Sequence, residues 1–236
     1  MSENKTTPPS AVPAATVIVL RDADSEPKGI EVLLLRRNAK TVFHGGAWVF
    51  PGGHIDPEDY SPAAPDDMLA AARQAAVREA EEEAGLSLAT ETLLYFSHWT
   101  TPLIRPKRFS TWFFVAQAGG DAVQVDGTEI SDHAWMYPHE ALEARQAGEI
   151  ELPPPTFVSL TKLSAFSTAK DALAYVSGRE PDTFFPKLEK VKDGYCSLYH
   201  GDAGYESSKV AAPGRRHRLW MLKSGWHYER ARECAG

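Results

Sequence analysis

Apolar residues come in short runs broken by turn chemistry. The segments "AATVIVL" (14–20) and "IEVLLLRR" (30–37) are rich in β-branched and large aliphatic residues, and "RDADSEPKG" between them carries the Asp, Pro and Gly of a hairpin or loop. "GGAWVFPGG" (45–53) is a strand fragment closed at both ends by paired glycines, and the three prolines of "HIDPEDYSPAAPDD" (54–67) make a loop. From Asp66 or Asp67 to Ala84 the alanines, Met68, Leu69 and glutamates predict a helix, with an acidic start and Gly85 as its stop. Further strands are expected at "TLLYFSHWT", "STWFFVAQA" and "HAWMY". A second helix is expected at "PHEALEARQAG", between Pro138 and Gly148.

Strands alternating with two clear helices predict a mixed α/β domain over residues 14–150, preceded by a disordered tail over 1–13. After "ELPPPT", which has the composition of a linker, come helical "TFVSLTKLSAF" and "TAKDALAYVSG". Strand-like "GYCSLYHGD" and "RLWMLKSGWHYE" follow. Residues 151–236 are therefore expected to form an α/β extension packed on the main domain. There is no internal repeat.

A chain of 236 residues with 43% hydrophobic content can bury a full core. Its formal charge of -7 disfavours nucleic acid and anionic membranes as partners, so an anionic substrate must meet local cations or a metal. Cys196 and Cys234 lack metal-ligand spacing, which excludes a thiolate zinc site and suits a reducing compartment. No stretch approaches the roughly 20 apolar residues of a membrane span, and the polar, proline-rich start has no apolar signal core. A cytoplasmic protein is expected. The final "ECAG" is not a Ser-Lys-Leu-type peroxisomal address.

The chemistry concentrates in "REAEEEAG" (78–85). At about 100° per residue, Glu79, Glu82 and Glu83 fall within roughly 100° of one another, and Glu81 points away. Like charges at these spacings repel unless a cation lies among them, and Mg²⁺ or Mn²⁺ accepts such oxygen ligands. Arg78 flanks this face and is placed to pair with a carboxylate. A Glu-rich helix alone reads as a solvated face; the nearby "FPGG" overturns that reading in favour of the site.

With that context the segment resembles the Nudix box, G-x5-E-x7-R-E-U-x-E-E-x-G-U, in which U is aliphatic. Arg78, Glu79, Glu82, Glu83, Gly85 and Leu86 match its second half, and Ala80 is a smaller residue than usual. The resemblance implies a Nudix α/β/α sandwich with a mixed central sheet. It also implies metal ligation by Glu79, Glu82 and Glu83 with a carbonyl of Gly52 or Gly53. The base would be Glu82, Glu83 or Glu129, the last lying in "GTEISDHAWM". The first half departs: if Gly53 is the box glycine, Asp59 occupies the slot of the first glutamate, and 24 residues separate Gly53 from Arg78, an insertion of 11. Glu58 or Asp59 then stands in for the first glutamate, or nothing does. The insertion is expected to alter the rim of the site and to spare the metal face.

Upstream, "LLLRRNAKTVFHGGAWVFPGG" resembles the motif of Nudix coenzyme A diphosphatases through Leu33, Leu34, Arg37, Gly46 and Phe50 to Gly53, with Leu35, Asn38 and Val42 departing. Arg36, Arg37 and Lys40 form a basic cluster. The box insertion, "HWTTPLIRPKRFSTWFFVA" and "LYHGD" are similar to the branch with an inserted box, from about Ala14 to Trp226. By that resemblance Arg37, Arg36, Gly46, Phe50, Gly52, Arg105 and Arg108 are candidate substrate-binding residues, with Lys107 beside them. The implied substrate is coenzyme A or acyl-CoA; ADP-ribose, NADH and dinucleoside polyphosphates are the alternatives. A nucleotide-sensing domain without catalysis is the alternative of another class, and a homodimer is left open. His44, His54, His98 and His133 read as surface or packing residues. Trp48 and Trp99 are candidates to stack on a base.

Overall fold

The computed structural model describes residues 9–24, 26–39 and 45–231. Lys40, Val42, His44, Cys234 and most of the expected N-terminal tail lie outside the described residues. The chain forms two compact units: a larger one over 14–98 and 112–182, and a smaller one over 9–13, 99–111 and 183–231.

In the larger unit the strands are β1 (Val12–Asp22), β2 (Ile30–Arg37), β3 (Trp48–Val49), β4 (Gly52–His54), β5 (Leu94–Thr100), β6 (Phe109–Gln117) and β7 (Ile130–Met136), some of which reach past its boundary. The helices are α1 (Met68–Ala84), α2 (Pro138–Ala147), α3 (Pro154–Leu163) and α4 (Ala169–Ser177). Along the sheet the order runs β3-β2-β1-β6-β5; β4 pairs antiparallel with β1 through Thr16 and Gly52, and β7 with β2 through Val32 and Met136. This is the expected mixed α/β fold with a mixed central sheet.

Alternation along β1 and β2 sends Ala15, Val17, Val19, Leu33 and Leu35 to one face of the sheet, where α1 covers them. The helix answers with Ala71, Ala72, Ala75, Ala76, Ala80 and Ala84, a stripe at helical spacing whose small side chains let it lie close to the strands. Asp67 caps its start, its side chain accepting from the Ala70 N–H at 2.9 Å. Gly85, at φ 67°, ends it with its N–H bonded to the Glu81 carbonyl. Burying the alanine stripe fixes the rotation of α1 and so decides where its glutamates emerge.

The linker-like prolines begin a helix instead: Pro153 is the cap of α3, and Pro154 takes the first turn, where a missing N–H costs nothing. Thr168 caps α4 by accepting from Asp171 N–H at 3.1 Å, while Asp22 accepts from Ala169 N–H at 2.7 Å. None of the helices among the described residues is long and apolar enough to cross a membrane.

The smaller unit contains a four-stranded antiparallel sheet of β9 (Lys187–Val191), β10 (Gly194–Leu198), β11 (His217–Leu222) and β12 (Gly225–Arg230); β8 (Asp182–Phe184) begins at its boundary. "RLWMLKSGWHYE", read as strand-like, is a hairpin of two strands, because Lys223 and Ser224 turn the chain between β11 and β12. Trp99 is corrected as a stacking candidate: it is buried, its ring lies 3.8 Å from that of Phe184 at 7°, and Tyr199 meets it edge-on.

Arg218 and Asp202 form a buried bidentate pair, at 2.7 Å from Nε and 2.6 Å from Nη2. Burial alone raises the Asp202 pKa, but Arg218 and the N–H groups of His217 and Gly204 outweigh it and hold the carboxyl below its ordinary range. A depressed folded pKa stabilises the fold above the unfolded value of about 3.9 and ceases to do so as the pH falls through the folded value. Asp202→Asn is therefore expected to cost about 3–5 kcal/mol in urea unfolding at pH 7, with the gap to wild type narrowing below about pH 4. Coincident curves at pH 7 would contradict a stabilising pair.

Candidate active site

The strand β4 runs between β1 and α1, and its two glycines leave room that side chains would take. A Cβ on Gly52 would sit 2.3 Å from the Ala15 carbonyl oxygen, and one on Gly53 would sit 2.3 Å from Oε1 of Glu79. The bare backbone lets the helix glutamates reach the strand: Gly52 N–H donates to Oε2 of Glu83 at 2.9 Å. Glu83 is 5% exposed, whereas Glu81 and Glu82 are exposed.

One guanidinium ties the rest together. Arg78 donates from Nη1 to Glu79 at 2.9 Å and Glu82 at 3.1 Å, and from Nη2 to the His54 carbonyl at 3.0 Å. Its Nε and Nη2 bind Asp59 bidentately at 3.1 and 3.0 Å, and Asp56 lies 3.4 Å from Nη2. Asp59, 5% exposed, sits on a 3-10 turn over Pro57–Asp59 and also accepts from Asp56 N–H at 2.8 Å. The inserted segment thus delivers a carboxylate to Arg78, and that carboxylate is Asp59, with Glu58 left exposed. The Asp59 bond raises the Arg78 pKa further above its already high value, so the cation is permanent.

The positive charge does not balance the negative. Burial pushes the Glu83 carboxyl up to about 8; Gly52 N–H and Arg37 pull it down, while Glu79 and Glu129 push it further. Burial likewise raises Glu79 despite Arg78. A buried carboxylate short of compensating charge, within an all-oxygen set, suits a hard divalent cation. Among the described residues no three acidic or histidine side chains are already gathered as a coordination shell: Glu79 and Glu82 bond to Arg78, and Glu83 to Gly52.

Arg37 and Glu129 join this site, Nη2 standing 3.9 Å from Oε2 of Glu129. Arg36 precedes Arg37 on β2 and is exposed, its side chain leaving the opposite face of the strand. Gly46, at φ 82°, donates to the Arg37 carbonyl at 3.0 Å and shapes the β2–β3 connection; Phe50 is buried against the edge of Phe113. Arg105 and Arg108 belong to the smaller unit. Arg108 is 7% exposed and donates to the carbonyls of Thr101 at 3.2 Å and Pro9 at 2.7 Å, while Arg105 is exposed. Asp56 and the His54 carbonyl were not expected at the site; the Asp-Pro-Glu-Asp run, a tight-turn sequence, was the available signal.

The sequence pattern of the NUDIX domain matches residues 11–153, so the chain belongs to the Nudix family. It is a Nudix-type pyrophosphohydrolase. Among curated relatives, the acyl-coenzyme A diphosphatase NUDT19 of Xenopus laevis is 24% identical over 74% of this chain and 71% of its own length. The putative nudix hydrolase 7 of Caenorhabditis elegans is 28% identical over 56% of this chain, which spans 55% of that relative. The crystal structure of a NUDIX hydrolase from Alicyclobacillus acidocaldarius is similar at a TM-score of 0.62 and 26% identity, covering 70% of this chain and 96% of that one.

Removing Asp59 leaves the partly buried Arg78 without its bidentate partner. Asp59→Ala is expected to lower the unfolding free energy by about 1–3 kcal/mol in chemical denaturation. An unchanged midpoint would show that Arg78 does not depend on the inserted turn.

Proposed function

We propose that the chain hydrolyses the diphosphate of coenzyme A or acyl-CoA to 3′,5′-ADP and (acyl-)phosphopantetheine, using Mg²⁺ or Mn²⁺. The observation that carries this is the carboxylate face of α1, where Glu83 is buried beneath Gly52 and short of positive charge. Glu79, Glu82 and Glu83, with the Gly53 carbonyl, would hold the cation. Bound there, it would neutralise phosphate oxygens and acidify a water. With the cation held there, Glu82, Glu83 or Glu129 would take the proton of a water attacking one phosphorus as the bridging P–O bond breaks.

Arg78 keeps Glu79 and Glu82 in place, and Arg37 offers a cation to the diphosphate. Gly46, Phe50 and Gly52 shape the entrance beside it, whereas Arg36 leaves the other face of β2 and the Arg108 guanidinium is spent on backbone carbonyls. The substrate assignment draws on the relative named as an acyl-coenzyme A diphosphatase and on Arg37, Gly46 and the Phe-Pro-Gly-Gly run. A cytoplasmic setting accords with Cys196 remaining a free thiol.

Coenzyme A, ADP-ribose, NADH and a dinucleoside polyphosphate, each assayed with Mg²⁺ and with Mn²⁺ and with products identified, separate the substrates. Release of 3′,5′-ADP is expected; no coenzyme A cleavage alongside turnover of another substrate refutes the assignment. Glu82→Gln should lower kcat by at least about 10²-fold with an unchanged melting temperature. Turnover within threefold of wild type sinks the role of this face.

A further inference from the structure

The carboxylate of Glu129 reaches the site from a loop that would leave it free to wander, since its side chain is 67% exposed. The backbone beneath it is nonetheless held from both sides. Asp126 accepts from the N–H of Glu129 through Oδ2 at 2.9 Å and from the N–H of Ile130 through Oδ1 at 2.9 Å. Its Oδ2 also accepts from the Thr128 hydroxyl. Gly127, at φ 73°, supplies the left-handed step that folds residues 128–130 back over that carboxylate. Just past the end of β2, Asn38 donates its N–H to the Glu129 carbonyl at 2.7 Å and its Nδ2 to the Thr128 carbonyl at 3.2 Å. Glu129 therefore has both its peptide groups fixed, and its side chain faces Arg37, the last residue of that strand.

We infer that Asp126 is a positioning residue: its carboxylate folds the 126–130 loop so that Glu129 is presented to Arg37, Glu79 and Glu83. The inference rests on the hydrolytic reading above, with Glu129 as the base that the loop serves. A helix residue such as Glu82 is located by its own turn of backbone, whereas a loop residue needs such a clamp. A displacement of about an ångström at a reacting group is enough to cost on the order of 10²-fold in rate. Neutral groups at position 126 cannot hold both N–H donors and the hydroxyl at once. Asparagine keeps one acceptor oxygen, and alanine keeps none.

The test is a double-mutant cycle on the substrate of the panel that the enzyme turns over fastest. Asp126→Ala is expected to lower kcat at least about tenfold with KM within twofold, and Asp126→Asn to lose less. In a Glu129→Gln background, Asp126→Ala should change kcat by less than twofold, because the group it positions is already gone. Should alanine unfold the chain, Asp126→Asn carries the same comparison. Equal losses in both backgrounds, or a kcat within twofold of wild type for Asp126→Ala, overturn the inference. A wild-type kcat for Glu129→Gln while Glu82→Gln is inactive also overturns it and leaves the hydrolase reading standing. Full activity in both defeats that reading itself.

Discussion

Mutual repulsion among Glu79, Glu82 and Glu83 sets the terms for everything around them. Three carboxylates within one turn of helix are tolerated only where positive charge and backbone donors are brought to meet them. Here a single guanidinium meets two, one N–H meets the third, and the compensation falls short at Glu83. The deficit is where a cation would be received. A site satisfied entirely by its own side chains would have no affinity left for a cation.

That arrangement explains features distant in sequence. The alanine stripe of α1 is there to let the helix sit against β1 and β4, which brings the glutamates to the strand backbone. The paired glycines of β4 serve the same closeness, since a Cβ at Gly52 would meet the β1 backbone and one at Gly53 would displace the Glu79 carboxylate. The inserted segment between Gly53 and Arg78 is no mere rim: its 3-10 turn returns Asp59 to the arginine that orders the face.

Local chemistry in the sequence was a good guide where it sufficed to determine structure. Asp67 and Gly85 mark the ends of α1 because capping depends on neighbours three or four residues away, and helical spacing alone put Glu81 on the solvent side. Non-local features were harder. Counting from Gly53 put Asp59 in the slot of the first glutamate, but the insertion breaks the count to Arg78, and only the fold shows that Asp59 and not Glu58 returns to it. Arg108 resembles a phosphate ligand in a basic run, yet it is consumed by the carbonyls of Thr101 and Pro9. The prolines of 153–155 read as a linker until their place in the first turn of α3 is seen. The turn within 218–229 was hidden between two apolar runs with no Asn-Gly or Asp-Gly signal.

The central claim is that this face is short of positive charge and takes up a divalent cation in the absence of substrate. Titration of Mn²⁺ into the protein, followed by the electron paramagnetic resonance signal of the free ion, tests it directly. Saturable binding is predicted for the wild type, weakened at least about tenfold by Glu83→Gln. No binding by the wild type, or equal binding by both proteins, would contradict the account.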